Sequence, residues 1–336
     1  MFGRKADKKG NRKGNGGIVI LAKTEPGMCG GTDATQDTNA PKKISSEKMI
    51  LFDVRSALGY GGNYGDNYSD NYGGNYGGGD RPGATPCRPD RLAYVSAFAV
   101  PAGTGSFVFL ETAEGPQRHA QKTRSWKYVK RDVFPSLVKL VNDLDLAAKN
   151  GFHSETHGLP ENFGGSVHIE YESGETVSYS NNQSPVLSRD AAVNIARLFS
   201  EALASEAEDL PDADGLTGIR FSETRKNGAF TTAFLTVNPD GTGVNKKQSR
   251  YADPAVFESE TPVEKEKIDA IKNIVKSGGM LAWPELPVSD AAPSGPKELR
   301  FFFRDGREIA VSDDRAVPGE LRGAFFDIEL EMTVRY

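Results

Sequence analysis

Two stretches of the chain lie over one another without a gap: HIEYESGETVSYSNN, His168 to Asn182, and RFFFRDGREIAVSDD, Arg300 to Asp314. Each reads as a strand, a polar pair, a glycine, a charged residue and a second strand, closing on serine and two amide or acid residues. Gly174 follows Ser173, and Gly306 follows Asp305. A glycine at the tip between alternating runs marks a tight hairpin, because such turns need positive φ. A second pair lies upstream. AYVSAFAVPAGTG (Ala93 to Gly105) and AFTTAFLTVNPDGTG (Ala229 to Gly243) both run an apolar strand into a proline-containing turn and Gly-Thr-Gly. Internal similarity in the same order constrains a fold more tightly than composition does, since both copies must adopt one connectivity.

Helix signals fall in the same order. Val133, Leu137, Leu140, Val141, Leu144 and Ala148 share a helical face, and Gly151 stands at a C-terminal cap position. In TPVEKEKIDAIKNIVKSGG the spacing predicts a helix opening with Thr261 as N-cap, Pro262 at the first position and Glu264 at the third, ended by Gly278. Ser188 is positioned to cap a helix that buries Ala192, Ile195, Ala196, Phe199 and Leu203. FDIELEMTV satisfies both a strand and a helix pattern. Its Glu, Leu and Met content and its place in the repeat select helix.

The expected fold class is therefore α+β: two tandem repeats of strand-strand-(strand)-helix-hairpin-helix, with antiparallel sheets covered by helices. The expected division is a disordered basic head and linker (1–43), a first repeat (44–207), an acidic linker (208–215) and a second repeat (216–336). Within the first repeat, residues 59–90 form an insertion, because the second repeat joins the matching strands through only Arg225 to Gly228. That insertion repeats Asn-Tyr every four residues, with Tyr60, Tyr64, Tyr68, Tyr72 and Tyr76 on one beat. Its glycine content predicts disorder, and its evenly spaced tyrosines are candidate binding residues through weak stacking.

A net charge of -5 argues against nucleic acid as the main partner, because phosphate binding needs a basic face. The charge is uneven: MFGRKADKKGNRKG carries six Lys or Arg against one Asp. The apolar run IVILA, Ile18 to Ala22, is shorter than the roughly 7–15 residues of a signal-peptide core or the roughly 20 of a membrane span. No membrane span and a cytoplasmic location are the resulting expectations, with Cys29 and Cys87 as free thiols.

Catalytic signals are sparse. No phosphate loop and no Gly-x-Ser-x-Gly elbow occurs. In FHSETHGLPE, His153 and His157 lie four apart with Glu155 between them, a candidate metal-binding set if a further ligand joins. Gly151, Gly158 and Pro160 surround it and predict a loop rather than a helix. Trp126 and Trp283 are expected to anchor helix ends in the core.

The hairpin glycines Gly174 and Gly306, the pairs Asn181-Asn182 and Asp313-Asp314, and Pro185 and Pro318 give the chain a loose resemblance to a group of bacterial α+β repeat proteins, many from gut anaerobes. That group has no assigned activity, so the resemblance implies a fold unit and no catalytic residues. The functional expectation is a non-enzymatic binding or interaction module with a protein partner and no cofactor. The alternatives are a metal-dependent enzyme using His153 and His157, and weak RNA or membrane association through the basic head and Tyr-rich tract.

Overall fold

The computed structural model describes residues 17–23, 31–58, 91–102, 104–115, 121–158, 164–206, 212–225, 227–251, 255–286, 297–313, 315 and 317–333. In the first half, β1 (Ile18–Ala22), β2 (Thr32–Asp37), β3 (Met49–Ala57), β4 (Leu92–Ala102), β5 (Gly105–Glu114) and β6 (Gln121–Val129) precede α1 (Phe134–Asp143). A 3-10 turn (Leu146–Lys149), β7 (Phe152–Thr156), β8 (Gly165–Tyr171), β9 (Thr176–Asn181) and α2 (Arg189–Ala204) follow. The second half opens on a 3-10 turn (Ala213–Gly215), then β10 (Leu216–Thr224), β11 (Phe230–Val237), β12 (Gly243–Arg250), β13 (Phe257–Val263) and α3 (Lys265–Ser277). It closes with a 3-10 turn (Met280–Glu285), β14 (Glu298–Phe303), β15 (Glu308–Ser312) and α4 (Gly319–Thr333).

This corrects the expected fold class. Strands make up 46% of the structure and helices 26%, so two large sheets dominate and no helix-covered α+β repeat is formed. The first sheet has the order β1-β2-β7-β9-β8-β3-β4-β5-β6, and the second β13-β12-β11-β10-β14-β15. Every pairing is antiparallel except β7 with β9. The excess strands are polar ones. β13 exposes every residue but Val263, and β12 alternates without an apolar stripe, so backbone pairing rather than burial defines them. For the same reason the expected capping box fails: Thr261 and Pro262 belong to β13, and Glu264 occupies the N-cap without a side-chain hydrogen bond. Proline is tolerated there because β13 is an edge strand. FDIELEMTV is helical within α4, and Ser188 caps α2 by accepting from Ala191 N–H.

Residues 1–43, expected to be disordered, contain β1 and β2. The 208–215 linker ends in a 3-10 turn whose Ala213 is buried. β3 and β4 pair directly, with Ala57 opposite Tyr94. The intervening insertion, with Tyr60, Tyr64, Tyr68, Tyr72 and Tyr76, lies outside the described residues.

One face of the first sheet, including Phe52, Val54, Val95, Ala97, Val108, Val167 and Ile169, packs against Leu137 and Val141 of α1 and Ile195 and Phe199 of α2. Burying each of the larger side chains, Ala97 excepted, favours folding by roughly 1.5–3 kcal/mol. The opposite face presents Phe98, Val100, Phe107, Phe109 and Tyr128 to the second half. These join a core with Ile268, Ile271 and Val275 of α3, Leu321, Phe325 and Ile328 of α4, and Ile219, Phe221, Leu299 and Phe301 of the second sheet. The layers thus stack as α1 and α2, first sheet, α3 and α4, second sheet. Trp283 is fully buried, stacked on Phe325 at 6.4 Å and donating to Gly278 O. Trp126 is half-buried at the seam, where it stacks on Phe107 and donates to Ser277 O at 3.0 Å.

Candidate functional site

The outermost layer is the second sheet, and among the described residues no helix lies over its outer face. Strand register aligns one row of side chains across it: Glu260, Lys246, Phe234, Arg220, Arg300 and Ala310. Flanking rows place Thr232 and Gln248 on one side, and Gly218 beside Phe302 on the other. Gly218 sits beneath the two phenylalanine rings of this face. A Cβ there would lie 3.5 Å from Phe234 Cζ and 3.6 Å from Phe302 Cδ2. With only hydrogen at this point the two rings meet edge to face, 5.7 Å apart, over bare backbone. Beside them a depression of about 370 Å³ is lined by Arg220, Thr232, Phe234, Lys246, Gln248 and Phe302.

The cations of this row differ in their surroundings. Arg300 is held by Glu298 at 2.5 Å and Glu308 at 2.6 Å, and these hydrogen bonds, Glu298 foremost, raise its pKa. Lys246 pairs with Glu260 at 3.2 Å. Among the described residues the Arg220 guanidinium has no hydrogen bond and no ion pair, although it is exposed at the centre of the sheet. A guanidinium offers a planar fork of donors suited to a carboxylate, and the Phe234 edge beside it supplies an apolar contact.

No family model and no curated protein matches the chain. The site therefore rests on its own geometry.

A second polar surface lies on the first sheet, where β3, β8 and β9 extend beyond the Phe98–Phe107 contact. Register brings Ser178, His168 and Asp53 into one row, the residue types of an acyl-transfer triad. The geometry assembles no nucleophile. His168 Nε2 bonds Glu170 Oε1 at 2.6 Å on its own strand, and no bond joins it to the Ser178 hydroxyl. The Ser178 N–H is taken by the Asn150 side chain at 2.7 Å, so it is no free oxyanion donor. Nearby, Glu111 is 2% exposed and held by Arg124 at 2.6 Å and Lys122 at 3.1 Å, so this buried carboxylate is paired.

Of the histidines singled out in the sequence, His153 is on a strand rather than in a loop, while His157 lies in a turn. His153 and Glu155 belong to β7, and His157 follows it. His153 Nδ1 pairs with Ser180 Oγ at 3.0 Å, while His157 Nε2 meets Asp33 Oδ2 at 3.2 Å and its Nδ1 lies 3.8 Å from Glu155. Among the described residues no group of three His, Cys, Asp or Glu is placed to hold a metal ion. Arg220 and Phe234 carried no local signal: they lie 14 positions apart (234 − 220) and meet only through strand pairing.

Proposed function

We propose that the protein is a non-enzymatic interaction module whose second sheet binds an extended acidic segment of a partner protein. The observation that supports this most is Arg220, a cation with no described counter-charge beside two aromatic rings on an open sheet face. The hollow is shallow, which suits a peptide chain laid across strands better than a small molecule enclosed on most sides. The two halves share a strand order, β6-β5-β4-β3-β8-β9 and β13-β12-β11-β10-β14-β15, with β7 additional in the first. On this reading the first unit's equivalent face is apolar and covered by the second unit. The second unit's face carries Arg220, Lys246 and Gln248, and among the described residues nothing covers it.

Peptide selection against the immobilised full chain tests the proposal. Bound sequences should be enriched in Asp or Glu next to an apolar residue, and Arg220→Glu should lose them by at least tenfold, the equivalent of about 1.4 kcal/mol. Selection of basic sequences, or retention by the Arg220→Glu variant, would rule it out.

A further inference from the structure

The row of side chains across the second sheet has a fixed order of charge: Glu260 on β13, Lys246 on β12, Phe234 on β11, Arg220 on β10 and Arg300 on β14. Lys246 and Arg220 are two strands apart, and the exposed Phe234 stands between them. Neighbouring strands lie about 4.8 Å apart, so the two cations leave the sheet about 9.6 Å from each other. Both line the depression on this face. The Arg220 guanidinium has no ion pair among the described residues. Lys246 is paired with Glu260 at 3.2 Å, but the two side chains are 64% and 60% exposed. A pair this open to water is weak enough for a ligand carboxylate to take the place of Glu260. The row is closed by acids at both ends. Beyond Lys246 stands Glu260, and beyond Arg220 the Arg300 guanidinium is occupied by Glu298 and Glu308.

Resting on the acidic-peptide reading of this face, we infer that it takes a polyproline II segment whose acidic residues stand three positions apart, Glu-Pro-Pro-Glu being the simplest. That helix rises about 3.1 Å per residue with three residues per turn, so residues i and i+3 point the same way about 9.3 Å apart. The distance matches the separation of Arg220 and Lys246. A peptide in β conformation brings side chains to one face every roughly 6.8 Å or roughly 13.6 Å, short of that gap or beyond it. Phe234 between the two cations keeps them from leaning together to close the difference. The prolines then lie over Phe234 and the Phe302 ring that meets it. Aromatic surfaces suit such segments, which are already extended and lose little freedom on binding. Arg220 grips one carboxylate through its planar fork of donors, and Lys246 meets the other as a point charge. Glu260, Glu298 and Glu308 repel a third acid on either side, so neutral or basic flanks are favoured.

Fluorescence anisotropy of the full chain with labelled synthetic peptides tests this. The peptides place two glutamates two, three or four positions apart, with proline between them and Gly-Ser flanks, so all carry the same charge. We expect the three-apart peptide to bind at least tenfold more tightly than the other two. Lys246→Gln should bring it down to their level, and Arg220→Gln should abolish binding of all three. Glu260→Gln, which releases Lys246, should strengthen the three-apart peptide by about two- to fivefold. Arg220, Lys246 and Glu260 are exposed, so these variants should keep the wild-type circular dichroism spectrum. Equal binding at every spacing, lost in Arg220→Gln, would overturn the spacing and leave the acidic-peptide face standing. A three-apart preference that persists in Lys246→Gln would also overturn the two-point contact. Absence of binding, or binding that survives Arg220→Gln, would overturn both readings.

Discussion

Asn150 shows how much one polar side chain does here. It is 2% exposed, donates to Pro41 O and Thr176 O at 2.9 and 2.7 Å, and accepts from Ser178 N–H at 2.7 Å. Its carbonyl accepts from Gln36 and Lys42. Three segments distant in sequence meet at this residue, and the stretch after β2 is thereby tied to the body. Replacing it with alanine leaves two part-buried carbonyls and one N–H without these partners, each costing up to about 1–3 kcal/mol. We expect Asn150→Ala to destabilise by roughly 2–4 kcal/mol in urea unfolding, after partial relaxation of those groups. A loss below about 0.5 kcal/mol, the scale of an ordinary surface change, would show that the residue is not the tie described.

Glu175, at the turn between β8 and β9, clamps the segment ahead of β3. Its carboxylate accepts from Ser45 N–H at 3.0 Å and Ser46 N–H at 2.9 Å, with the Ser45 and Ser173 hydroxyls adding to the set. These bonds, the Ser45 backbone bond foremost, hold its pKa below the usual carboxylate value. A lowered folded-state pKa means the clamp is fully present above the unfolded value of about 4.3 and is lost as pH falls through the folded value. Amide-exchange protection at Ser45 and Ser46 should therefore fall on acidification, and Glu175→Gln should remove that pH dependence. Protection that stays constant through the acid range would contradict the clamp. The β8–β9 and β14–β15 hairpins were legible in sequence because Gly174 and Gly306 adopt φ of 82° and 85°, a demand few residues meet. β2, β6, β7, β12 and β13 were not, since sequence patterns report burial and these strands are held by pairing. Gly165 was equally silent: a Cβ there would sit 2.0 Å from Arg55 O, a close approach only the assembled sheet reveals. The proposed binding site was hidden for a related reason, because register across β10, β11, β12 and β14 creates it and no local motif does.

At the scale of the molecule, the two halves meet through the apolar face of β4, β5 and β6, and Trp126 is the seam's most specific contact. Gly279, at φ 61°, lets backbone pass under the indole; a Cβ would approach it to 2.8 Å. Trp126→Ala removes the ring stack and the bond to Ser277. We expect a loss of roughly 2–3 kcal/mol, less than a fully buried tryptophan because Trp126 is half-exposed. Exchange protection should drop in α3 and the adjoining 3-10 turn while α2 stays protected. Equal loss in α2 and α3 would mean the seam does not divide the molecule. The stacking also explains the placement of the proposed site. The second half's helices lie between the two sheets, and among the described residues no element covers the outer face of the second.

The most direct test is a backbone amide NMR titration of the full chain with a short peptide carrying alternating Glu and Phe, against the same peptide with Gln for Glu. The acidic peptide should shift amides of β10, β11, β12 and β14 around Arg220, and the Gln peptide should not. Equal shifts from both peptides, or shifts confined to the first sheet, would contradict the assignment of the open second sheet as the binding face.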